Sequence, residues 1–152
     1  MANDEPDVSV VLPGEPKGKG APRTRIVTTR TGAHYAHIYA DPRTQSYEGM
    51  LRQVAALAMR GRSPLANALR VRVIAHMSVP TSWSRTRRLA AMSGFIRPTV
   101  KPDWENIAKT LDALTGIVWI DDKQIVSGMI EKFYAAKPQL AVDVWEQRGA
   151  LI

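Results

Sequence analysis

The chain has 152 residues, a mass of 16.8 kDa, 45% apolar residues and a formal charge of +7, which suits one compact domain with a real core. It has no cysteine and only three scattered histidines, His34, His37 and His76; disulfide frameworks and thiolate or histidine-rich metal sites are excluded, so any metal is held by oxygen. No apolar run approaches the roughly 20 residues of a membrane span, and Met1 to Asp7 is acidic and polar, unlike a signal peptide, so a soluble cytoplasmic protein is expected.

Residues 1–7 read as a flexible end and residues 8–152 as the domain. Val8-Ser9-Val10-Val11-Leu12 has the β-branched density of a strand and stops at Pro13-Gly14. Lys17 to Arg25 mixes Gly, Pro and four cations, Lys17, Lys19, Arg23 and Arg25, as a loop would that approaches a sugar-phosphate chain; it lacks P-loop spacing. Ile26 to Thr29 and His37 to Tyr39 predict a hairpin turning at Arg30 to Ala33. Asp41-Pro42 is a helix start, cap acid followed by proline. Tyr47, Leu51, Val54 and Leu57 or Ala58 recur at helical spacing, predicting a helix from Pro42 to Met59 with Arg43, Glu48, Arg52 and Gln53 outward. Leu69 to Met77 alternates as a half-buried strand with Arg70 and Arg72 on one face.

Ser82 to Met92 predicts a short serine-capped helix whose first turn is basic. Cations there oppose the helix dipole, so Arg85, Arg87 and Arg88 point to a phosphate contact. Phe95 to Val100 is expected to be extended, since Pro98 and Pro102 disfavour helix before them. A helix starting at Asp103 gathers Trp104, Ile107, Ala108, Leu111 and Leu114 on one side and Glu105, Lys109 and Asp112 on another. Ile125 to Tyr134 and Gln139 to Trp145 complete the elements as a C-terminal strand pair. The expected fold is α+β, a single domain with a small mixed sheet and two or three helices.

Charge is unevenly spread. From Lys17 to Lys101, sixteen lysines and arginines stand against two acids, Asp41 and Glu48, a local excess of +14. An imbalance held over half the chain points to a polyanionic partner. Yet five of the fourteen acids, Asp103, Glu105, Asp112, Asp121 and Asp122, fall between Lys101 and Ile125. Grouped carboxylates repel a phosphate unless a divalent cation intervenes, so metal-assisted phosphodiester chemistry reconciles the two signs. Taken alone, Glu105, Lys109 and Asp112 also read as a surface ladder of ion pairs, each worth a few tenths of a kcal/mol.

The run Lys101-Pro102-Asp103-x-Glu105-Asn106-x2-Lys109-x2-Asp112-Ala113-Leu114-x-Gly116-x2-Trp119-x-Asp121-Asp122-x-Gln124-Ile125 resembles the signature of the RusA family of Holliday-junction resolvases, encoded largely by phages and prophages. The resemblance implies a small homodimeric endonuclease that binds four-way DNA junctions by their structure. It further implies paired nicks with magnesium, for which manganese may substitute, in DNA recombination or repair within a bacterial or phage-infected cell. Position by position it makes Asp103, Glu105 and Asp122 metal-binding and catalytic carboxylates, and Lys109 a catalytic basic residue that serves as electrophile or as orienter of the scissile phosphate. Asp121 stands as a further ligand or as a neighbour of Asp122, Asn106 as a support, and Asp112 as a partner of Lys109 or an outer-sphere group. The family's second acid is usually Asp, and Glu105 departs from it by one methylene. DNA contacts are expected from Lys17, Lys19, Arg23, Arg25, Arg85, Arg87, Arg88, Arg97 and Lys101, with Trp104 and Trp119 in the core. Two other readings are a junction-binding protein impaired in cleavage and a basic adaptor whose acids merely form helix-surface pairs. A PD-(D/E)xK nuclease is disfavoured, because three residues rather than one separate Glu105 from Lys109 and the surrounding periodicity is helical.

Overall fold

In β4 (Ala68–Ser78), Leu69, Val71, Val73, Ala75 and Met77 are buried while the residues between them are not, so one face of the strand builds the core and the other looks outward. The computed structural model describes residues 4–149. Around β4 stand β1 (Val8–Pro13), β5 (Ile125–Ala135) and β6 (Gln139–Gln147), in the order β1-β6-β4-β5. β6 is antiparallel to β1 and β4, and β5 is parallel to β4. The helices are α1 (Pro42–Met59), α2 (Arg85–Met92) and α3 (Trp104–Thr110), and a separate hairpin is formed by β2 (Arg23–Thr28) and β3 (His34–Tyr39). This is the expected single α+β unit with a mixed sheet and three helices. No helix among the described residues is long and apolar enough to cross a membrane.

The last two strands do not form the expected pair, because β4 lies between them. Running parallel to β4 requires a long crossover before β5, and α2 and α3 occupy it. Val8, Val10 and Leu12 of β1 and Leu140, Val142 and Val144 of β6 point to the same side as the buried residues of β4. α1 covers that side, mainly against β1. Its start is set by Asp41, whose carboxylate accepts the Arg43 N–H at 2.8 Å, followed by Pro42. Arg60 closes it in the left-handed region with φ 51°.

Thr44, Tyr47, Glu48, Leu51, Ala55 and Met59 form the buried stripe of α1. Glu48, expected outward, is therefore inside, and Leu57 is exposed. Neighbouring cations make the burial of Glu48 tolerable: Arg52 lies 3.6 Å away and Lys19 3.3 Å. A second, smaller cluster of Met77, Ala91 and Tyr134 with Trp83 and Ile96 seats α2 against the far end of β5.

Of the stretch read as a flexible end, residues 1–3 lie outside the described residues. Asp4 and Asp7 are tied down: the Trp145 indole donates to the Asp4 carbonyl at 3.1 Å, and the Glu146 N–H to the Asp7 carboxylate at 2.7 Å. The hairpin is longer than expected, so Arg23 and Arg25 sit on a strand rather than in the preceding loop.

Candidate active site

The glycine-rich loop before β2 folds back on the acidic motif. The Lys19 N–H donates to the Asn106 carbonyl at 3.0 Å and the Gly20 N–H to Thr44 Oγ1 at 2.9 Å. Gly18 permits this approach, since a Cβ there would lie 2.7 Å from Asn106 Cβ and 3.0 Å from Pro102 Cβ. Between loop and motif opens a cavity of about 380 Å³, walled by Lys17, Lys19, Lys101, Asp103 and Asn106 among others. Lys17 and Lys101 thus share one cavity wall with Asp103. Gly18→Ala is expected to force the loop off Asn106 at about 1–3 kcal/mol, a fall in melting temperature of several degrees readable by calorimetry. An unchanged melting temperature would mean that the loop yields freely.

Asp103 occupies the N-cap position of α3, yet its carboxylate makes no capping hydrogen bond, and no salt bridge to it occurs among the described residues. Glu105 is committed to Lys109 at 2.8 Å. The Lys109 hydrogen bond, reinforced by its charge, holds the Glu105 carboxyl below the ordinary glutamate range. That contribution is present above the unfolded-state value and is lost as pH falls through the lowered one. Asp112 turns to Lys19 at 3.1 Å, and not to Lys109 as the helical spacing suggested. Lys19 thereby bridges Asp112 and the buried Glu48. Its hydrogen bond to Asp112 raises it above the usual lysine range, so this link is complete below the unfolded lysine value and lost as pH rises through the raised one.

α3 is short because Thr110, fully buried, donates its hydroxyl to the Ile107 carbonyl at 2.6 Å. Such back-bonding competes with helix continuation, and the chain tightens into a 3-10 turn at Leu111–Leu114. A second 3-10 turn, Asp122–Gln124, carries the consecutive acids. Asp121 caps it: its carboxylate accepts the Lys123 N–H at 3.0 Å, and its own N–H donates to Gln124 Oε1 at 2.8 Å. The Lys123 N–H is the main reason that the Asp121 carboxyl is held below the usual range. Gln124 also donates to the Leu65 and Asn67 carbonyls at 2.8 and 3.0 Å, fastening the turn to the body. Asp122 is left exposed, beside Asp121 and with no salt bridge among the described residues. It borders a largely apolar pocket of about 230 Å³ that Trp104, Ala108, Leu111 and Asp112 also line. Trp104, expected in the core, is 56% exposed and donates its indole N–H to the Ile130 carbonyl at 3.1 Å. Trp119 is fully buried.

Tested as holders of a divalent cation, these residues are right in kind. Exposed carboxylate oxygens without a cation partner, at Asp103 and Asp122, are what a hard ion prefers, and magnesium keeps several waters of its own. They are not gathered into a cage: among the described residues no three Asp, Glu or His side chains converge for a metal. Asp103 faces one cavity and Asp122 the other.

The cations expected on DNA fall into two sets. Lys19, Arg23 and Arg97 are engaged, with Asp112 and Glu48, with Asp41 at 2.6 Å, and with Glu131 at 3.3 Å respectively. Arg97 also lies over the Phe133 ring at 3.6 Å. Lys17, Arg25, Lys101, Arg85, Arg87 and Arg88 are exposed, Arg87 over the Trp83 ring at 3.8 Å. Sequence reasoning missed the Lys19 bridge and the Gln124 tether. Only the capping-box pattern from Asp121 to Gln124 offered a local signal, for the tether.

Two comparisons with known proteins bear on this site. The sequence model of the family described as Endodeoxyribonuclease RusA matches residues 13–145. The Bacillus subtilis (strain 168) protein named Uncharacterized protein YqaN is 30% identical over 136 residues, covering 88% of this chain and 92% of that protein.

Proposed function

The chain belongs to the RusA endodeoxyribonuclease family, and from that premise we propose that it nicks four-way DNA junctions in pairs as a divalent-metal-dependent homodimer serving recombination or repair, in a phage or prophage setting. The observation that carries this reading is electrostatic. In a chain of net +7, Asp103 and Asp122 stand exposed and without a cation partner among the described residues, at the two ends of the motif. Unpaired carboxylates on a basic protein weaken DNA binding unless they serve an ion that the phosphate also contacts.

Asp103, Glu105 and Asp122 are the residues that would hold magnesium or manganese, with Asp121 shaping the turn beneath Asp122. The ion would supply an activated water and neutralise charge on the phosphate. Lys109, held at 2.8 Å by Glu105, lies on the same helix face and supplies a cation to orient the scissile phosphate. Lys17 and Lys101 beside Asp103 give the strand its backbone contacts, which position DNA without reading its sequence. Arg85, Arg87 and Arg88 stand at the far end of β5 from Asp122. At about 3.3 Å per residue of strand, that separation suits contact with an arm of the junction away from the cut.

The spread of the acids over two cavities favours one second reading, a junction-binding protein impaired in cleavage by Glu105. Incubating a labelled four-way junction and a matched linear duplex with the protein in magnesium and in manganese separates the two. Paired nicks near the crossover and an intact duplex are expected. Tight junction binding with no product in either metal would replace the nuclease by the binding protein. Equal cutting of both substrates would remove junction selectivity.

A further inference from the structure

The β2–β3 hairpin packs against no other element extensively and is exposed along most of both strands. Its register places Arg23 opposite Tyr39, Arg25 opposite His37 and Val27 opposite Tyr35. Alternation puts these six side chains on one face and Thr24, Ile26, Ala36 and Ile38 on the other. The first face therefore carries a row of three rings, Tyr35, His37 and Tyr39, edged by arginine. Tyr35 is 51% exposed. The His37 and Tyr39 rings stack with centroids 5.9 Å apart and planes 14° from parallel, and the Arg25 guanidinium lies 5.9 Å over Tyr39.

Cross-strand pairing alone accounts for part of this, since aromatic pairs stabilise hairpins by a few tenths of a kcal/mol or more. It does not account for rings that keep a free flank along an arm otherwise without a core. Alternate residues on a strand repeat at about 6.6 Å, roughly twice the 3.4 Å step of a strand in stacked duplex. Paired, stacked bases do not match that spacing, whereas bases of an unstacked, extended strand do. Exposed rings with an unpaired cation beside them are the chemistry by which proteins hold single strands. The root of the arm is fixed toward the candidate active site: Arg23 pairs with Asp41 at the cap of α1, and the loop leading into β2 walls the Asp103 cavity.

We propose that Tyr35, His37 and Tyr39, with Arg25, form a stacking platform for unpaired nucleotides, and that it takes up bases freed at the open centre of a junction. The junction as source of those nucleotides rests on the function proposed above; the platform itself rests on the arm.

The test uses the full chain without added divalent metal, so that nothing is cut, and three 2-aminopurine probes: a single-stranded oligonucleotide, a four-way junction labelled at the crossover, and a matched duplex. Binding by the wild type should quench the single strand and the junction. Tyr35→Ala and His37→Ala should each weaken both by about five- to a hundredfold, relieve the quenching, and leave duplex affinity within about twofold. Tyr35→Phe, which keeps the ring, should behave as the wild type and guards against a misfolded arm. Equal loss on all three probes, or no loss, overturns the platform. A wild type that quenches the single strand but does not prefer junction over duplex leaves the platform standing and overturns the junction reading instead.

Discussion

Asp122→Asn is expected to slow junction nicking by about a hundredfold or more while leaving junction affinity, measured without metal, within about threefold. The amide keeps the shape of the side chain and removes its charge. If Asp122 holds the ion, several kcal/mol of charge stabilisation go with it, and each 1.36 kcal/mol is a factor of ten in rate. The neighbouring acid supplies the control. Asp121 is occupied in accepting the Lys123 N–H, a bond that an amide oxygen makes nearly as well, so Asp121→Asn should lose less than about tenfold. A loss of charge repulsion in Asp122→Asn should if anything tighten DNA. The assignment fails if Asp121→Asn is the inactive variant and Asp122→Asn still cuts, or if both lose junction binding, which would mark the turn as scaffold alone.

The difference between these two aspartates showed in the sequence only as the capping-box spacing from Asp121 to Gln124; otherwise they are adjacent and alike. It arises from the register of a 3-10 turn that gives one of them the cap. What was legible was local: the proline and cap acid that start α1, the alternation of β4, the periodicity that puts Glu105 and Lys109 on one helix face. Long-range partners were not. Lys19 and Asp112 lie 93 positions apart, and nothing in the pattern around either marks the other. For the same reason Glu48 read as outward, since helical spacing records only its own helix and not the lysine that the preceding loop brings to it. The strand order was hidden likewise, because a short link such as Lys137-Pro138 signals a hairpin until β4 is seen to lie between. Trp104 misled in another way: apolar spacing on α3 assigned it to the core, but the helix lies at the edge beside β5, where one ring flank remains in solvent.

Trp119→Ala is expected to cost about 3–5 kcal/mol, a large share of the roughly 5–15 kcal/mol that holds a domain folded, and to lower the melting temperature by about 6–20 °C. Trp119 is fully buried and heads the largest enclosed side chains, so truncation leaves a cavity that the sheet and the Leu111–Leu114 turn cannot close. It also strands Thr115, whose hydroxyl accepts the indole N–H at 3.1 Å. Local backbone bonds magnify the effect: the Gly116 N–H donates to the Trp119 carbonyl at 2.7 Å, and the Leu65 N–H to the Val118 carbonyl at 2.8 Å. Through them the indole anchors the segment that leads directly into Asp121 and Asp122. Nicking should accordingly fall in Trp119→Ala even at temperatures where circular dichroism reports a folded chain. Trp119→Phe, which keeps most of the volume and loses the hydrogen bond, should cost about 1–2 kcal/mol and retain most activity. If Trp119→Ala melts within about 1 kcal/mol of the wild type, the segment is held by its backbone bonds and not by the ring. If it melts low yet cuts normally when folded, the acid-bearing turn is positioned by the Gln124 tether alone.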